Sequence, residues 1–76
     1  MSLNLLRKLR PIISIHPQVM GGVPRYKNTR IPVYLVVEHF AKGWNNKEIH
    51  KLFPDVSLSR INQTISVISS EIKNAG

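Results

Sequence analysis

The segment from Gly43 to Ile65 constrains the fold most, because it carries the start and stop signals of two helices joined by a short turn. Asn45 can cap the first helix, and Glu48, three residues later, can return a hydrogen bond to the N–H of that cap. Pro54 ends this helix, and Ser57 can cap the next one almost at once. The sequence therefore predicts a helix-turn-helix with helices of about eight and about sixteen residues.

Apolar residues recur at helical spacing along both predicted helices and indicate their buried faces. The residues expected to face the core are Ile49, Leu52, Phe53, Leu58, Ile61, Ile65, Ile68 and Ile72. Trp44 and Val56 occupy the positions of hydrophobic staples, which would pack against Ile49 and Ile61 respectively. We interpret Trp44 as a core residue in preference to a platform on which bases stack.

Short strands are predicted before this unit. Residues 12–16 alternate in character, with Ile13 and Ile15 on one face, which is typical of a strand. Residues 24–26 and 29–31 are predicted to form a hairpin around Lys27-Asn28, because asparagine tolerates the left-handed conformation of a tight turn.

A further helix is predicted between Pro32, which suits a first helical turn, and Gly43, which suits a C-terminal stop. Its apolar face would contain Val33, Val36, Val37 and Phe40. The β-branched residues also allow a strand, but the length and the paired stop signals favour a helix. The predicted fold is mainly α, with a single helix-turn-helix domain over residues 11–76 preceded by short strands or a hairpin.

Residues 1–10 are predicted to form a basic N-terminal arm, which Pro11 separates from the domain. Leucines at positions 3, 6 and 9 allow one amphipathic turn, and a flexible tail is the alternative. Met1-Ser2-Leu3 is also compatible with a cloning remnant.

The length of 76 residues and the lack of cysteine narrow the class of protein. A chain of this size buries only about 60% of its unfolded surface, so we expect a homodimer to support the core. The absence of cysteine favours a reducing cytoplasm, and three scattered histidines make a structural zinc site or other cofactor unexpected. The longest apolar run, Val33 to Val37, is far shorter than the roughly twenty residues that span a bilayer.

The charge balance favours a polyanionic partner. Eleven Lys and Arg residues stand against four acids, which gives a net charge of +7. Such an excess is typical of nucleic-acid binding, with simple solubility as the alternative. We do not expect an enzyme, because the four carboxylates suit surface or capping positions and Gly21-Gly22 lacks the rest of a phosphate loop.

The last predicted helix supplies candidate base-reading residues. Since Leu58, Ile61 and Ile65 face inward, the side chains expected to face outward are Ser59, Arg60 and Gln63, followed by Ser66 or Ser70. Arginine and glutamine suit base edges, although an ordinary solvated face shows the same pattern. Arg60 favours the DNA interpretation, because a cation in a first helical turn opposes the macrodipole unless an anion lies there. Asn62 and Thr64 flank this face as weaker candidates.

Other basic residues suit the phosphate backbone, which fixes register without reading sequence. The candidates on the hairpin and near the turn are Arg25, Lys27, Lys42, Lys47 and Lys51. Arg30 could also bind phosphate, but a structural role that ties the hairpin to the first helix is preferred.

Residues 12–61 resemble a bacterial and archaeal family known as domain of unknown function 433. The matching motifs are His16-Pro17, Gly21-Gly22-Val23-Pro24, Thr29-Arg30-Ile31-Pro32-Val33, Gly43, Glu48-Ile49, Phe53-Pro54 and Leu58 with Ile61. The resemblance implies a three-helix, homeodomain-like or winged-helix-like fold, in which Gly21, Gly22, Pro24, Thr29, Arg30 and Pro32 form the structural motif. It also implies a frequent role as the antitoxin of a toxin–antitoxin pair, often beside a PIN-like ribonuclease toxin.

The chain departs from the family pattern at three places. His16 and Asn28 stand where the family usually has Asp and Gly, and the last helix begins with Ser57-Leu58-Ser59-Arg60 where acidic residues are common. Loss of the Asp removes a possible partner of Arg30.

Two functional hypotheses follow. The first is a dimeric, sequence-specific protein that binds double-stranded DNA, as the antitoxin and autorepressor of a toxin–antitoxin operon. Its last helix would enter the major groove, while the hairpin and the arm would hold phosphates. The second is a protein-interaction module that neutralises a PIN-like toxin without significant DNA binding. The arm residues Arg7, Lys8 and Arg10 would then approach the acidic metal site of the nuclease.

Overall fold

The computed structural model of the protein describes residues 3–75. The elements in chain order are α1 (Leu3–Leu9), β1 (Ile13–Ser14), a short 3-10 turn (Met20–Gly22), β2 (Arg25–Tyr26), α2 (Val33–Ala41), α3 (Asn46–Leu52) and α4 (Leu58–Ala75). Residues 3–75 thus form a small, mainly helical domain with four helices and a two-stranded antiparallel sheet. Met1 and Ser2, on which the cloning-remnant interpretation depends, lie outside the described residues.

The long helix α4 is the centre of the fold, since α1, α2 and α3 all pack against it. The buried core draws on every helix and both strands: Leu9, Ile13, Tyr26, Val33, Val36, Ile49, Val56, Ile61 and Ile65. Within residues 3–75, no helix combines the length and the apolar character that crossing a bilayer requires.

The predicted caps of α3 and α4 are confirmed. The Asn45 side chain accepts a hydrogen bond from the Glu48 N–H at 2.9 Å, and the Glu48 carboxylate accepts one from the Asn45 N–H at 3.0 Å. The Ser57 hydroxyl oxygen accepts a hydrogen bond from the Arg60 N–H at 3.2 Å. The two helices have 7 and 18 residues, and each begins directly after its predicted capping residue.

The helix between Pro32 and Gly43 is also confirmed. Pro32 occupies the N-cap of α2 with φ −64°, and Gly43 lies beyond its end with φ 94°, a conformation that favours glycine. Val33 and Val36 are fully buried on the predicted face.

The sheet differs from the predicted hairpin. Asn28 does adopt the left-handed conformation, with φ 64°. However, β2 pairs with β1, with Ile13 opposite Tyr26, and residues 29–31 form no strand. The reason is the Thr29 side chain: its hydroxyl donates to the Tyr26 carbonyl and accepts from the Ile31 N–H, which closes a turn over these residues. A single bridge from Arg25 to Pro32 remains on that side of β2.

Three residues predicted in the core are exposed, namely Trp44, Leu52 and Ile72, and so is Ile15, which was predicted to share a strand face with Ile13. Ile15 lies beyond the two-residue strand β1, and Leu52 ends α3, where the following residue, Phe53, turns inward. Glu71 faces α1, and each further residue of a helix turns the side-chain direction by about 100°, so Ile72 points away from that face. The Trp44 ring meets the edge of His39, with centroids 5.0 Å apart, at the surface.

The N-terminal segment folds as a helix, which decides between the two alternatives left by its sequence. Leu9 of α1 is fully buried, and the Lys8 ammonium lies 2.8 Å from the Glu71 carboxylate on α4. The described chain therefore has one helix more than the three predicted, because α1 packs against α4.

Candidate nucleic-acid interface

The first turns of α4 present an exposed polar face. Ser59, Gln63 and Ser66 are exposed, while Ile61 is fully buried. Residues three and four positions apart lie on one side of a helix, so these three side chains form one stripe. The expectation that Ser59 and Gln63 face outward is confirmed.

Arg60 is partly buried, because its guanidinium contacts the turn after β2. Its Nη1 donates to the Lys27 carbonyl at 2.7 Å. This hydrogen bond joins the first turn of α4 to the turn that carries Lys27. The described part of the first turn of α4 contains no acidic residue, so the positive charge of Arg60 is not offset there.

The turn between β2 and α2 is held by Arg25. Its Nη1 donates to the Thr29 carbonyl at 2.8 Å, and its buried Nε has no hydrogen-bond partner among the described residues. This Arg25 hydrogen bond lies within the turn, and the expected tie from the Arg30 side chain to α2 is not found among residues 3–75. Arg30 itself is exposed, and no residue in the described range accepts a hydrogen bond from its guanidinium.

The other members of the family motif also shape this turn. The Pro24 carbonyl accepts a hydrogen bond from the Val33 N–H at 3.0 Å, which fixes the start of α2 beside β2. Gly21 and Gly22 have φ values of 65° and 83°, so the turn before β2 uses a conformation that other residues rarely adopt.

An open depression of about 560 Å³ lies against this turn. Its lining residues are Val19, Arg25, Asn28, Thr29, Arg30 and Asp55. The structure thus brings two guanidinium groups together, but Asp55, from the α3–α4 connection, reduces the positive potential there.

The candidate lysines are exposed but lie on several elements. Lys27 is on the turn next to the start of α4, Lys42 follows α2, and Lys47 and Lys51 lie four residues apart on α3. None of these four forms an ion pair within residues 3–75. They remain available to phosphates, and Lys27 is the one that the Arg60 hydrogen bond ties to α4.

Three polar contacts of Asn62 and Thr64 on α4 were not predicted from the sequence. The Asn46 amide donates to the Asn62 side-chain oxygen at 2.6 Å and bridges α3 to α4. Thr64 is fully buried, so the expectation that it flanks a DNA-binding face is wrong. The Thr64 hydroxyl contacts the Tyr26 hydroxyl and donates to the Arg60 carbonyl. A threonine inside a helix often donates to the carbonyl four residues earlier, and this tendency could have indicated the second contact from the sequence.

The three basic residues of the N-terminal segment, two on α1 and Arg10 just after it, differ in their contacts. Lys8 pairs with Glu71, whereas Arg7 and Arg10 are exposed and have no carboxylate partner in the described part of the chain.

These features define a small, basic, mainly helical domain with an exposed polar face on a central helix. The chain belongs to the family described as a protein of unknown function, DUF433, whose sequence profile matches residues 13–66. It is 30% identical over 59 residues to Uncharacterized protein y4eO of Sinorhizobium fredii (strain NBRC 101917 / NGR234). That match covers 78% of this chain and 27% of the relative, so the chain spans only a part of the relative's length.

A solved structure shares the fold. The crystal structure of a DUF433 member protein from Anabaena variabilis matches with a TM-score of 0.66 and 29% identity. The match covers 95% of this chain and 71% of that chain.

Proposed function

We propose that the protein is a non-enzymatic, sequence-specific DNA-binding protein whose helix α4 reads base edges in the major groove. The observation that carries this proposal is the exposed polar face of Ser59 and Gln63 at the start of α4, in a chain of net charge +7. Hydroxyl and amide side chains at the start of a recognition helix pair with base edges, and the surrounding cations attract the phosphate backbone.

In this proposal α2, α3 and α4 act as a three-helix, homeodomain-like unit, and the turn from Arg25 to Pro32 acts as a small wing. Gln63 and Ser59 are the readers. Arg60 combines two roles, since one of its five N–H donors holds the Lys27 carbonyl and the others stay free in a fixed orientation. Such preorganisation reduces the entropy lost on contact with a base.

The phosphate contacts are assigned to Lys27, Lys42, Lys47 and Lys51. Arg30 is added because it is exposed and its side chain has no hydrogen bond or ion pair within residues 3–75. Arg25 supports the turn that carries Lys27, so we give it a positioning role.

The first experiment selects bound duplexes from a random DNA library and then measures affinity against salt concentration by fluorescence anisotropy. If four to six cations meet phosphates, log K should fall against log salt with a slope of roughly −3.6 to −5.4. A flat salt dependence, or a selection that enriches no sequence, would contradict the proposal.

The second experiment separates reading from phosphate binding on the selected duplex. Gln63→Ala and Arg60→Ala should each cost about 1–3 kcal/mol and relax the preference at one base pair. Lys27→Ala should weaken binding to all DNA sequences nearly equally and reduce the salt slope by the amount expected for about one phosphate contact. Gln18→Ala, at an exposed glutamine away from α4, is the matched control and should change neither quantity. If Gln63→Ala and Arg60→Ala behave like this control, α4 does not read the sequence.

The family resemblance extends the proposal to a cytoplasmic homodimer that acts as antitoxin and autorepressor, with a PIN-like nuclease as its toxin. Co-expression with the product of the neighbouring gene tests this extension. Neutralisation of a nuclease by a protein that binds no DNA would favour the alternative of a pure protein-interaction module.

A further inference from the structure

We propose that the groove between α1 and the β1 segment docks an acidic, aliphatic segment of a partner protein. The groove has a volume of about 360 Å³ and is lined by Leu3, Leu6, Arg7, Arg10, Ile13 and Ile15. None of these residues belongs to the α4 face proposed to read DNA. This surface therefore gives the protein a second binding function that is independent of the first.

The apolar part of the groove is more exposed than a folded core requires. Leu3 and Ile15 are 65% and 51% exposed, and both line the groove. They lie beside Leu6 and Ile13, so the exposed aliphatic surface is continuous with the core. These exposed aliphatic side chains would lose contact with water if aliphatic side chains of another chain covered them.

The charged part of the groove selects the chemistry of that chain. Arg7 and Arg10 line the groove, and neither meets a carboxylate within residues 3–75. Lys8 between them pairs with Glu71 of α4, which holds α1 in place. Guanidinium groups beside an apolar surface favour carboxylates, which they bind in a planar, two-point geometry. The groove therefore suits aliphatic side chains flanked by Glu or Asp.

A second copy of this chain fits the groove less well. The chain has four acids, of which Glu71 pairs with Lys8 and Glu48 completes the α3 cap. The other two lie apart in the fold, Glu38 on α2 and Asp55 in the α3–α4 connection.

Nucleic acid is a poor occupant as well. Four of the six lining residues are aliphatic and none is aromatic, so the groove offers no platform on which bases stack.

The experiment titrates the isotope-labelled protein with an amphipathic peptide of about two heptads that has leucines at the a and d positions and glutamates elsewhere. The backbone amide resonances of Leu6, Arg7, Arg10, Ile13 and Ile15 should shift in NMR spectra, while those of Ser59 and Gln63 should not. The control peptide keeps the leucines and carries lysines in place of glutamates. It should bind at least tenfold more weakly.

Two pairs of variants test the charged and the apolar parts separately. The double variant Arg7→Glu with Arg10→Glu should bind the acidic peptide at least tenfold more weakly. The double variant Lys42→Glu with Lys47→Glu has the same net charge and should bind the peptide much better than the first one. Ile15→Ser should weaken binding of the peptide about fivefold, and Ile72→Ser, at an isoleucine that is also exposed but lies outside the groove, should leave binding unchanged. Circular dichroism checks that each variant keeps its helices.

Four results would overturn the inference. The first two are that the lysine peptide binds as well as the glutamate peptide, or that the resonance shifts fall outside the groove. The other two are that duplex DNA, and not the peptide, shifts the groove amides, or that Ile15→Ser abolishes self-association of the free protein. The last result would assign the groove to a second copy. All four are distinct from failure of the DNA proposal, which is read from Gln63, Arg60 and the salt slope.

Discussion

A buried pair of hydroxyl groups joins strand β2 to the middle of α4. Tyr26 and Thr64 are both fully buried, and their side-chain oxygens lie 2.8 Å apart. The Thr64 hydroxyl donates its single hydrogen to the Arg60 carbonyl, so Tyr26 is the donor within the pair. A hydrogen bond in this environment is worth more than at the surface, because neither oxygen can turn to water instead.

We expect Tyr26→Phe to lower the free energy of unfolding by about 0.5–1.5 kcal/mol, because it removes the hydrogen bond and leaves a lone pair of Thr64 without a donor. Urea unfolding followed by circular dichroism measures the change. Tyr34→Phe is the control, since Tyr34 is 46% exposed and its hydroxyl is hydrated in both states. Equal effects of the two substitutions would show that the buried pair adds no stability.

The same pair makes stability depend on alkaline pH. Burial raises the pKa of Tyr26 from 10.0 to about 12. Between these two values the folded protein keeps a proton that the unfolded chain has lost, so this contribution is complete below pH 10 and is lost as the pH rises towards 12. Tyr26→Phe should remove this part of the alkaline destabilisation, and Tyr34→Phe should keep it.

The roles of single polar residues could be predicted from the sequence only where their partners are close in the chain. The Asn45–Glu48 cap was predicted, because both partners lie within one helical turn. The Arg60 contact was not, because its acceptor is a carbonyl 33 residues away. Outward-facing positions such as Gln63 followed from helical periodicity alone, but periodicity does not show which outward residue touches another element.

At the scale of elements, α2, α3 and α4 were predictable because each carries its own start or stop signal. The pairing of β1 with β2 and the helix α1 were not, because both depend on distant partners. Strands of two residues carry almost no pattern, and α1, with seven residues, is too short to be stable in isolation. Tertiary packing against α4 therefore decides the structure of the N-terminal segment.

Helix α1 is expected to contribute to the stability of the whole domain. Leu9→Ala should lower the free energy of unfolding by about 2–5 kcal/mol, because Leu9 is fully buried and its truncation leaves a cavity beside α4. Thermal or urea unfolding measures the loss. Leu3→Ala, on the same helix but 65% exposed, is the control and should cost far less. A small loss from Leu9→Ala would mean that residues 1–10 act as the separate arm that their sequence suggested.

At the scale of the whole molecule, we predict a homodimer in solution. The core of a chain of this size is small, and a two-fold symmetric protein matches the symmetry of most helix-turn-helix operators. Sedimentation at micromolar concentration should show a species of about twice the 8.7 kDa chain mass. The prediction fails if the 8.7 kDa species alone is found both with and without DNA.

The ion pair between Lys8 and Glu71 joins residues 63 positions apart in the chain. The entropy lost on closing so long a loop exceeds that of the short connections between α2, α3 and α4, so we expect α1 to dock late in folding and to detach first. A partner bound beside α1 would keep α1 packed against α4 and would slow hydrogen exchange of the α1 amides. Because α1 is the helix expected to detach first, a protein that binds beside it would lengthen the lifetime of the folded chain.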